Sequence, residues 1–252
     1  MRQLDLNCDI GEGLNNEAPL MPFLGAANIA CGGHAGDPDQ MRSVLLQCQE
    51  HRVAAGAHPS YPDRAHFGRN DLLASGDLMA SDLHNIVAEQ VYTLREIAAR
   101  EGIFLHHVKP HGALYNRVAW DLEAAHYLCQ GICAIDPGLA LYGLAGSSLR
   151  TVAQSYQLRF VPEAFADRSY QDDGSLTPRS QARSLLDHAD EVERQVNELL
   201  QGHVTALSGR KIQLEAQTVC LHGDGPQVLE FAKRIHKLLY RINPDTPPNT
   251  RQ

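Results

Sequence analysis

The stretch His107-Val-Lys-Pro-His-Gly-Ala-Leu-Tyr-Asn116 sets two histidines and a lysine at alternate positions. If the strand-like run Ile103–Val108 continues into it, His107, Lys109 and His111 share one face, because strand side chains alternate with period two. Two imidazoles and an ammonium are poor core filling, since buried cationic groups are costly without partners. Lysine is scarce elsewhere: the others are Lys211, Lys233 and Lys237. A lysine between two histidines at a strand end therefore reads as part of a site.

Other strand ends carry similar chemistry. The first strand places Asp5, Asn7 and Asp9 on one face, and the second leads through Asn28 to Gly32-Gly33-His34-Ala35-Gly36-Asp37. The third ends at His58, the sixth at Glu163, and the last at His222-Gly223-Asp224. Each group has a bland reading: Asp5 and Asp9 as loop caps, Asp37 and Asp224 as helix caps, a single histidine as a structural hydrogen-bonder. For Lys109 the bland reading is a salt bridge to a carboxylate on a neighbouring strand. Their convergence on one end of every strand is what favours a site, because α/β proteins build sites at the carboxyl ends of parallel strands. Arg64, Arg69 and Arg168 lie in long loops after His58 and Glu163, where a guanidinium can bind a carboxylate or phosphate, or merely pair at the surface.

The elements that must position these groups alternate regularly. Strands are expected near Gln3–Asn7, Ala26–Cys31, Val53–Ala57, Ile103–Val108, Leu139–Leu144, Arg159–Glu163 and Thr218–Leu221, with helices between them. Met41, Val44, Leu45 and Cys48 recur at helical spacing over Pro38–His51, with Asp37 as cap and Pro38 at the first position. A second helix spans about Ser81–Glu101 and stops at Gly102. A last one follows Asp224-Gly225-Pro226-Gln227. Repeated strand–helix units imply parallel strands covered by helices, as a barrel or as a doubly wound open sheet. Residues 203–215 read instead as an inserted β-hairpin around Ser208-Gly209.

Composition excludes several classes. A chain of 252 residues with net charge -8 suits a small-molecule enzyme, not a general binder of nucleic acid or acidic membrane. None of the six cysteines forms a CxxC pair, and no signal peptide or membrane-length apolar run is present, so a cytoplasmic protein with reduced thiols is expected. There is no GxxxxGK[ST] loop, GxSxG elbow or HExxH motif, and Gly11-Glu12-Gly13 lacks the third glycine of a dinucleotide fingerprint.

Together, DLNCDIGEG (Asp5–Gly13), ANIACGGHAGDP (Ala27–Pro38), GAHPSYPDRAHFGR (Gly56–Arg69), HVKPHGALYN (His107–Asn116), EAFADRSYQDDGSL (Glu163–Leu176) and TVCLHGDGP (Thr218–Pro226) resemble the LamB/YcsF family. The resemblance runs in order from residue 5 to about 240. It implies an irregular or partly open (β/α) barrel of the glycoside hydrolase/deacetylase type. Residues 1–240 would form a single catalytic domain, and 241–252 a flexible tail. It also implies ATP-dependent cleavage of the lactam of 5-oxo-L-proline to L-glutamate, with ATP, and Mg as its counterion, turned over to ADP and phosphate. The implied partners are 5-oxoprolinase subunits B and C. In that chemistry Lys109, His111 and Glu163 are the expected catalytic groups. Asp5, Asn7, Asp9, His34, His58, Arg168 and His222 would line the substrate or phosphate pocket, with Arg168 on the substrate carboxylate. Gly33 stands where many members carry a bulkier residue, which implies a wider pocket beside His34. Two other readings stay open: a metal-dependent deacetylase or amidohydrolase on the same fold, with Asp9, His34 and His58 as candidate ligands, and a non-catalytic substrate-binding subunit.

Overall fold

Leu6, Cys8 and Ile10 alternate with Asp5, Asn7 and Asp9, and this alternation sets the two faces of the first strand. In the computed structural model, which describes residues 4–242 apart from Asp224 and Pro226, that strand is β1 (Asp5–Ile10). It starts later than the sequence suggests and runs on to Ile10, so Asp9 lies within it. Six further strands complete a closed, all-parallel barrel: β2 (Ala26–Ala30), β3 (Ala54–His58), β4 (His107–Val108), β5 (Ala140–Leu144), β6 (Phe160–Phe165) and β9 (Thr218–Leu221). β9 pairs with both β6 and β1 and closes the ring. The barrel is irregular in having seven strands instead of eight, but it is not open.

The outward residues, including Leu6, Ile29, Ala57, Leu141 and Val219, join the main core beneath the helices α2 (Pro38–His51), α3 (Asp82–Arg100), α5 (Leu122–Ile135), α6 (Leu149–Ser155), α7 (Ala189–Leu200) and α8 (Val228–Ile242). Two short helices sit nearer the strand ends, α1 (Glu17–Leu20) and α4 (Gly112–Trp120). Inside the barrel, Ala26, Ala140, Tyr142 and Val161 form a small apolar plug. Above it the interior turns polar.

Local signals act where the sequence places them. The Asp37 carboxylate accepts the Gln40 N–H at 2.9 Å and caps α2. Asp37→Ala should cost about 1 kcal/mol, read as a lower urea midpoint with unchanged slope. Helix α3 ends in a Schellman-type closure: Gly102 N–H bonds the Ala99 carbonyl at 3.1 Å and Ile103 N–H the Ala98 carbonyl at 2.9 Å. The expected cap at Asp224 and the tail beyond Ile242 lie outside the described residues; Arg241 and Ile242 belong to α8. The insertion is an antiparallel hairpin of β7 (His203–Thr205) and β8 (Lys211–Gln213), with His203 opposite Gln213. Among the described residues no helix is long and apolar enough to cross a membrane.

Candidate active site

Strand β4 is only His107–Val108, far shorter than its apolar run suggests, yet its hydrogen bonding to the β3 chain continues. Lys109 N–H bonds the Ala57 carbonyl at 2.9 Å, and His111 N–H bonds the Pro59 carbonyl at 2.8 Å. The extended path therefore persists to His111, and His107, Lys109 and His111 are all buried. They contribute to successive levels of the barrel interior.

The lowest level is a neutral network. His107 Nε2 donates to Asn28 Oδ1 at 2.7 Å, and Asn28 Nδ2 donates to Asn7 Oδ1 and Asp9 Oδ1, each at 2.8 Å. Asn7 in turn donates to the Thr218 hydroxyl at 2.8 Å. The His107 ring stacks on Tyr142 with centroids 4.0 Å apart. Burial, then the neighbouring His106 and the Lys109 charge, hold its basicity well below the ordinary histidine range, so a neutral donor is the stable form.

The middle level is an ion cluster around Lys109. Its Nζ lies 2.9 Å from Asp9 Oδ1, 3.1 Å from Glu163 Oε1 and 3.0 Å from Cys220 Sγ. Burial alone would lower the lysine, but Asp9, Cys220 and Glu163 outweigh it, and Lys109 is held well above its usual value. Burial alone would likewise raise Asp9, but His58 and Lys109 hold it well below the carboxylate range. The salt bridge of the bland reading of Lys109 is thus present. Glu163 is 0 % exposed, and among the described residues neither of its oxygens accepts a hydrogen bond of good geometry. Lys109 and the buried Tyr115 hydroxyl are the groups that bear on this carboxylate.

The upper level gathers Glu12, His34, His58 and His111, whose ligating atoms all lie within 4.8 Å of one another. Glu12 Oε1 is 3.0 Å from His34 Nε2 and 3.4 Å from His111 Nδ1. The rings of His34 and His111 are parallel at 3.7 Å, and His58 stands nearly perpendicular to both. Burial, then the nearby His58, push His34 down to about 3. Burial and the Asp9 charge push Glu12 up. Phe67 covers the cluster edge-on, 5.2 Å from His34 and 5.4 Å from His111. The loop carrying Phe67 is fixed by Asp63, which accepts the His66 and Asn70 N–H groups. To one side, His222 Nδ1 lies 3.0 Å from both oxygens of Asp167, and its ring stacks on Phe165.

Most of the sequence-predicted residues meet here, but not all. Asp5 starts β1, four residues and about 13 Å below Asp9 at strand rise, so the two do not share a level. Arg168 turns away: its Nε and Nη2 donate to the carbonyls of Ser184 (3.2 Å) and Thr177 (2.7 Å), clasping the 167–186 loop. Arg64 does the same with the Gly32 and Gly36 carbonyls. Asp9 groups with Cys220 and His222, while His34 and His58 group with Glu12 and His111, so the three expected metal ligands fall in two neighbouring clusters. The space beside Gly33 is not a wider pocket either. A Cβ there would lie 2.5 Å from Gln90 Oε1 and Ser60 Oγ, so the Gln90 side chain from α3 already occupies it.

Sequence reasoning does not single out Glu12, Asn28, Cys220 and Asp167 as site residues. Glu12 carries one usable signal, a carboxylate between glycines directly after a strand. Its turn is pinned by Glu17, which accepts the N–H groups of Gly11 (3.0 Å), Glu12 (2.8 Å) and Leu14 (3.2 Å).

The sequence matches the LamB/YcsF family over residues 4–250. The chain belongs to that family. LamB/YcsF relatives that carry the name of the A subunit of 5-oxoprolinase occur in Bacillus cereus strain B4264 (43% identity, 94% of this chain and 95% of the relative) and Bacillus cytotoxicus (43%, 96% and 97%). A solved structure, the lactam utilization protein from Thermus thermophilus, superposes with a TM-score of 0.86 at 35% identity, covering 96% of this chain and 97% of that one. The fold of this chain is thus similar to that of an experimentally determined structure.

Proposed function

We propose that the chain is the lactam-handling A subunit of an ATP-dependent 5-oxoprolinase, working with subunits B and C to open 5-oxo-L-proline to L-glutamate. The observation that carries this reading is the pairing of Lys109 Nζ with Glu163 Oε1 at 3.1 Å, a donor beside a fully buried group that can only accept. A ring holds its amide cis, so the lactam carbonyl and N–H lie on the same edge. An ammonium next to an acceptor-only group complements that edge. The names of the relatives support the same substrate class.

Lys109 Nζ already has four acceptor neighbours, Asp9, Glu163, Cys220 and, at 3.4 Å, Asn7 Oδ1, and Cys220 Sγ is the weakest acceptor among them. A lactam oxygen would take the place of that sulfur. Held between Asp9 and Glu163, the ammonium stays charged and fixed, and it stabilises the negative charge that develops on the oxygen when water adds to the carbonyl. Glu163 accepts the ring N–H, takes a proton from the attacking water and returns one to the departing nitrogen as the C–N bond breaks.

On this reading ATP is bound elsewhere in the complex. Asp9 and Glu163 lie against Lys109, Glu12 faces His34 and His111, and Asp167 pairs with His222, so a polyphosphate would meet four carboxylates whose counter-charges are already engaged. Nucleotide turnover is therefore assigned to the partner subunits, and no step here runs through it.

The test is reconstitution. The chain mixed with its B and C subunits should form glutamate from 5-oxoproline with matching ATP consumption, and the isolated chain should form none. Glu163→Gln should lower glutamate formation about 100-fold or more. Full activity in Glu163→Gln would remove the proton role, and ATP-dependent turnover by the isolated chain would overturn the division of labour.

A further inference from the structure

We infer that Glu12, His58 and His111 hold a divalent first-row transition-metal cation of the zinc class at the mouth of the barrel. The inference rests on where the ring protons must be. His58 Nδ1 lies 2.7 Å from the Lys109 carbonyl oxygen, and His111 Nε2 lies 3.0 Å from the Phe67 carbonyl oxygen. A carbonyl can only accept, so both nitrogens carry hydrogen. In the neutral rings, His58 Nε2 and His111 Nδ1 are then bare lone pairs, and they face each other at 2.9 Å.

With both rings neutral and the carboxylates ionised, no donor lies between them. Asp9 Oδ2 is 3.3 Å from His58 Nε2, and Glu12 Oε1 is 3.4 Å from His111 Nδ1 and 4.0 Å from His58 Nε2. Three acceptor atoms, on His58, His111 and Glu12, thus face one another, with Asp9 Oδ2 beside His58. Lone pairs and carboxylates crowded together are unfavourable unless a cation sits among them.

The geometry suits a metal ion. Bonds of 2.0–2.1 Å to imidazole and carboxylate place tetrahedral ligand atoms about 3.3 Å apart, and the three separations here, 2.9, 3.4 and 4.0 Å, bracket that value. Both histidines donate their remote N–H to a backbone carbonyl, the usual way a protein fixes the tautomer of a metal-bound imidazole. His34 is excluded as a co-ligand of His111. A ring nitrogen offers its lone pair in the ring plane, and the two planes are parallel at 3.7 Å. His34 instead bonds Glu12 through Nε2 at 3.0 Å and orients its carboxylate. Two imidazoles and one carboxylate favour zinc, cobalt, nickel or manganese over magnesium. Three protein ligands leave a position open for water or a substrate oxygen, the pattern of a catalytic rather than a structural ion.

The experiment uses the full chain, stripped with chelator and titrated with Co²⁺ and Zn²⁺. One ion per chain should bind, with visible Co²⁺ bands and a rise in Tm that excess Mg²⁺ does not reproduce. His111→Gln and Glu12→Gln should each weaken binding at least 10-fold, and His34→Ala about 10-fold through loss of the supporting bond. Should a variant fail to fold, ¹⁵N imidazole shifts of His58 and His111 in the unaltered chain provide the same readout, moving together on Zn²⁺ addition. Failure to bind either ion, equal binding by the variants, or a proton shared by His58 and His111 that Zn²⁺ does not displace would each overturn the inference. Binding is measured without 5-oxoproline or partners, so this result and the lactam reading stand or fall separately.

Discussion

Replacing Lys109 with methionine should lower 5-oxoproline-dependent glutamate formation by the reconstituted complex by about 100- to 1000-fold, the usual cost of removing one preorganised charge-stabilising donor. The same change should destabilise the chain by about 3–5 kcal/mol, because it leaves Asp9 and Glu163 buried without their counter-charge. The two effects are separable. In Lys109→Met/Glu163→Gln one carboxylate is removed along with the ammonium, so much of the lost stability should return. Activity should not, because neither the donor nor the base is restored. Urea unfolding of the single and double variants gives the coupling energy of the pair, and the assay gives its catalytic role. A stable but inactive double variant is the expected result. A Lys109→Met complex with near-normal turnover would reduce the lysine to a structural ion pair.

The sequence exposes the barrel well because each strand carries its own pattern. In β1 the alternation of Leu6, Cys8 and Ile10 with Asn7 and Asp9 already separates the helix-facing from the inward-facing side. Closure is a different matter. It depends on β9 meeting β1, with Thr218 beside Asp5 and Cys220 beside Asn7, a pairing between opposite ends of the chain that no local pattern encodes.

Site residues divide along the same line. Lys109, His111 and Glu163 stand out because ionisable groups at strand ends conflict with burial, and that conflict is visible residue by residue. Glu12 is hidden because its place over the histidines depends on how its turn folds back, and that is decided by Glu17 five residues on. Arg168 misleads for the converse reason. Its type suits a substrate carboxylate, but the loop returns at Thr177 and Ser184 and takes up the guanidinium with backbone carbonyls. Asn28 and Cys220 are small or neutral and raise no conflict in the sequence. Their importance comes only from Asp9 and Lys109, which they touch.

The neutral level below the ion cluster yields the second large effect, at Gly56. A Cβ on this residue of β3 would lie 2.2 Å from His107 Nε2 and 2.3 Å from Cε1, well inside contact distance. His107 cannot easily retreat, because its ring is stacked on Tyr142 at 4.0 Å and its Nε2 is bonded to Asn28 at 2.7 Å. Gly56→Ala must therefore displace the imidazole or the strand, at a cost of about 1–3 kcal/mol or more for an overpacked core. The damage should pass upward. Losing the His107–Asn28 bond frees the amide that holds Asp9 at 2.8 Å, and Asp9 in turn fixes Lys109. Turnover should fall further than the loss of stability explains, with the protein still folded at assay temperature. His107→Ala tests the cause. In that background the added methyl meets no ring, so Gly56→Ala should cost less than about 0.5 kcal/mol, the range of substitutions that meet no special feature. An unchanged penalty would place the strain in the β3 backbone and not against His107.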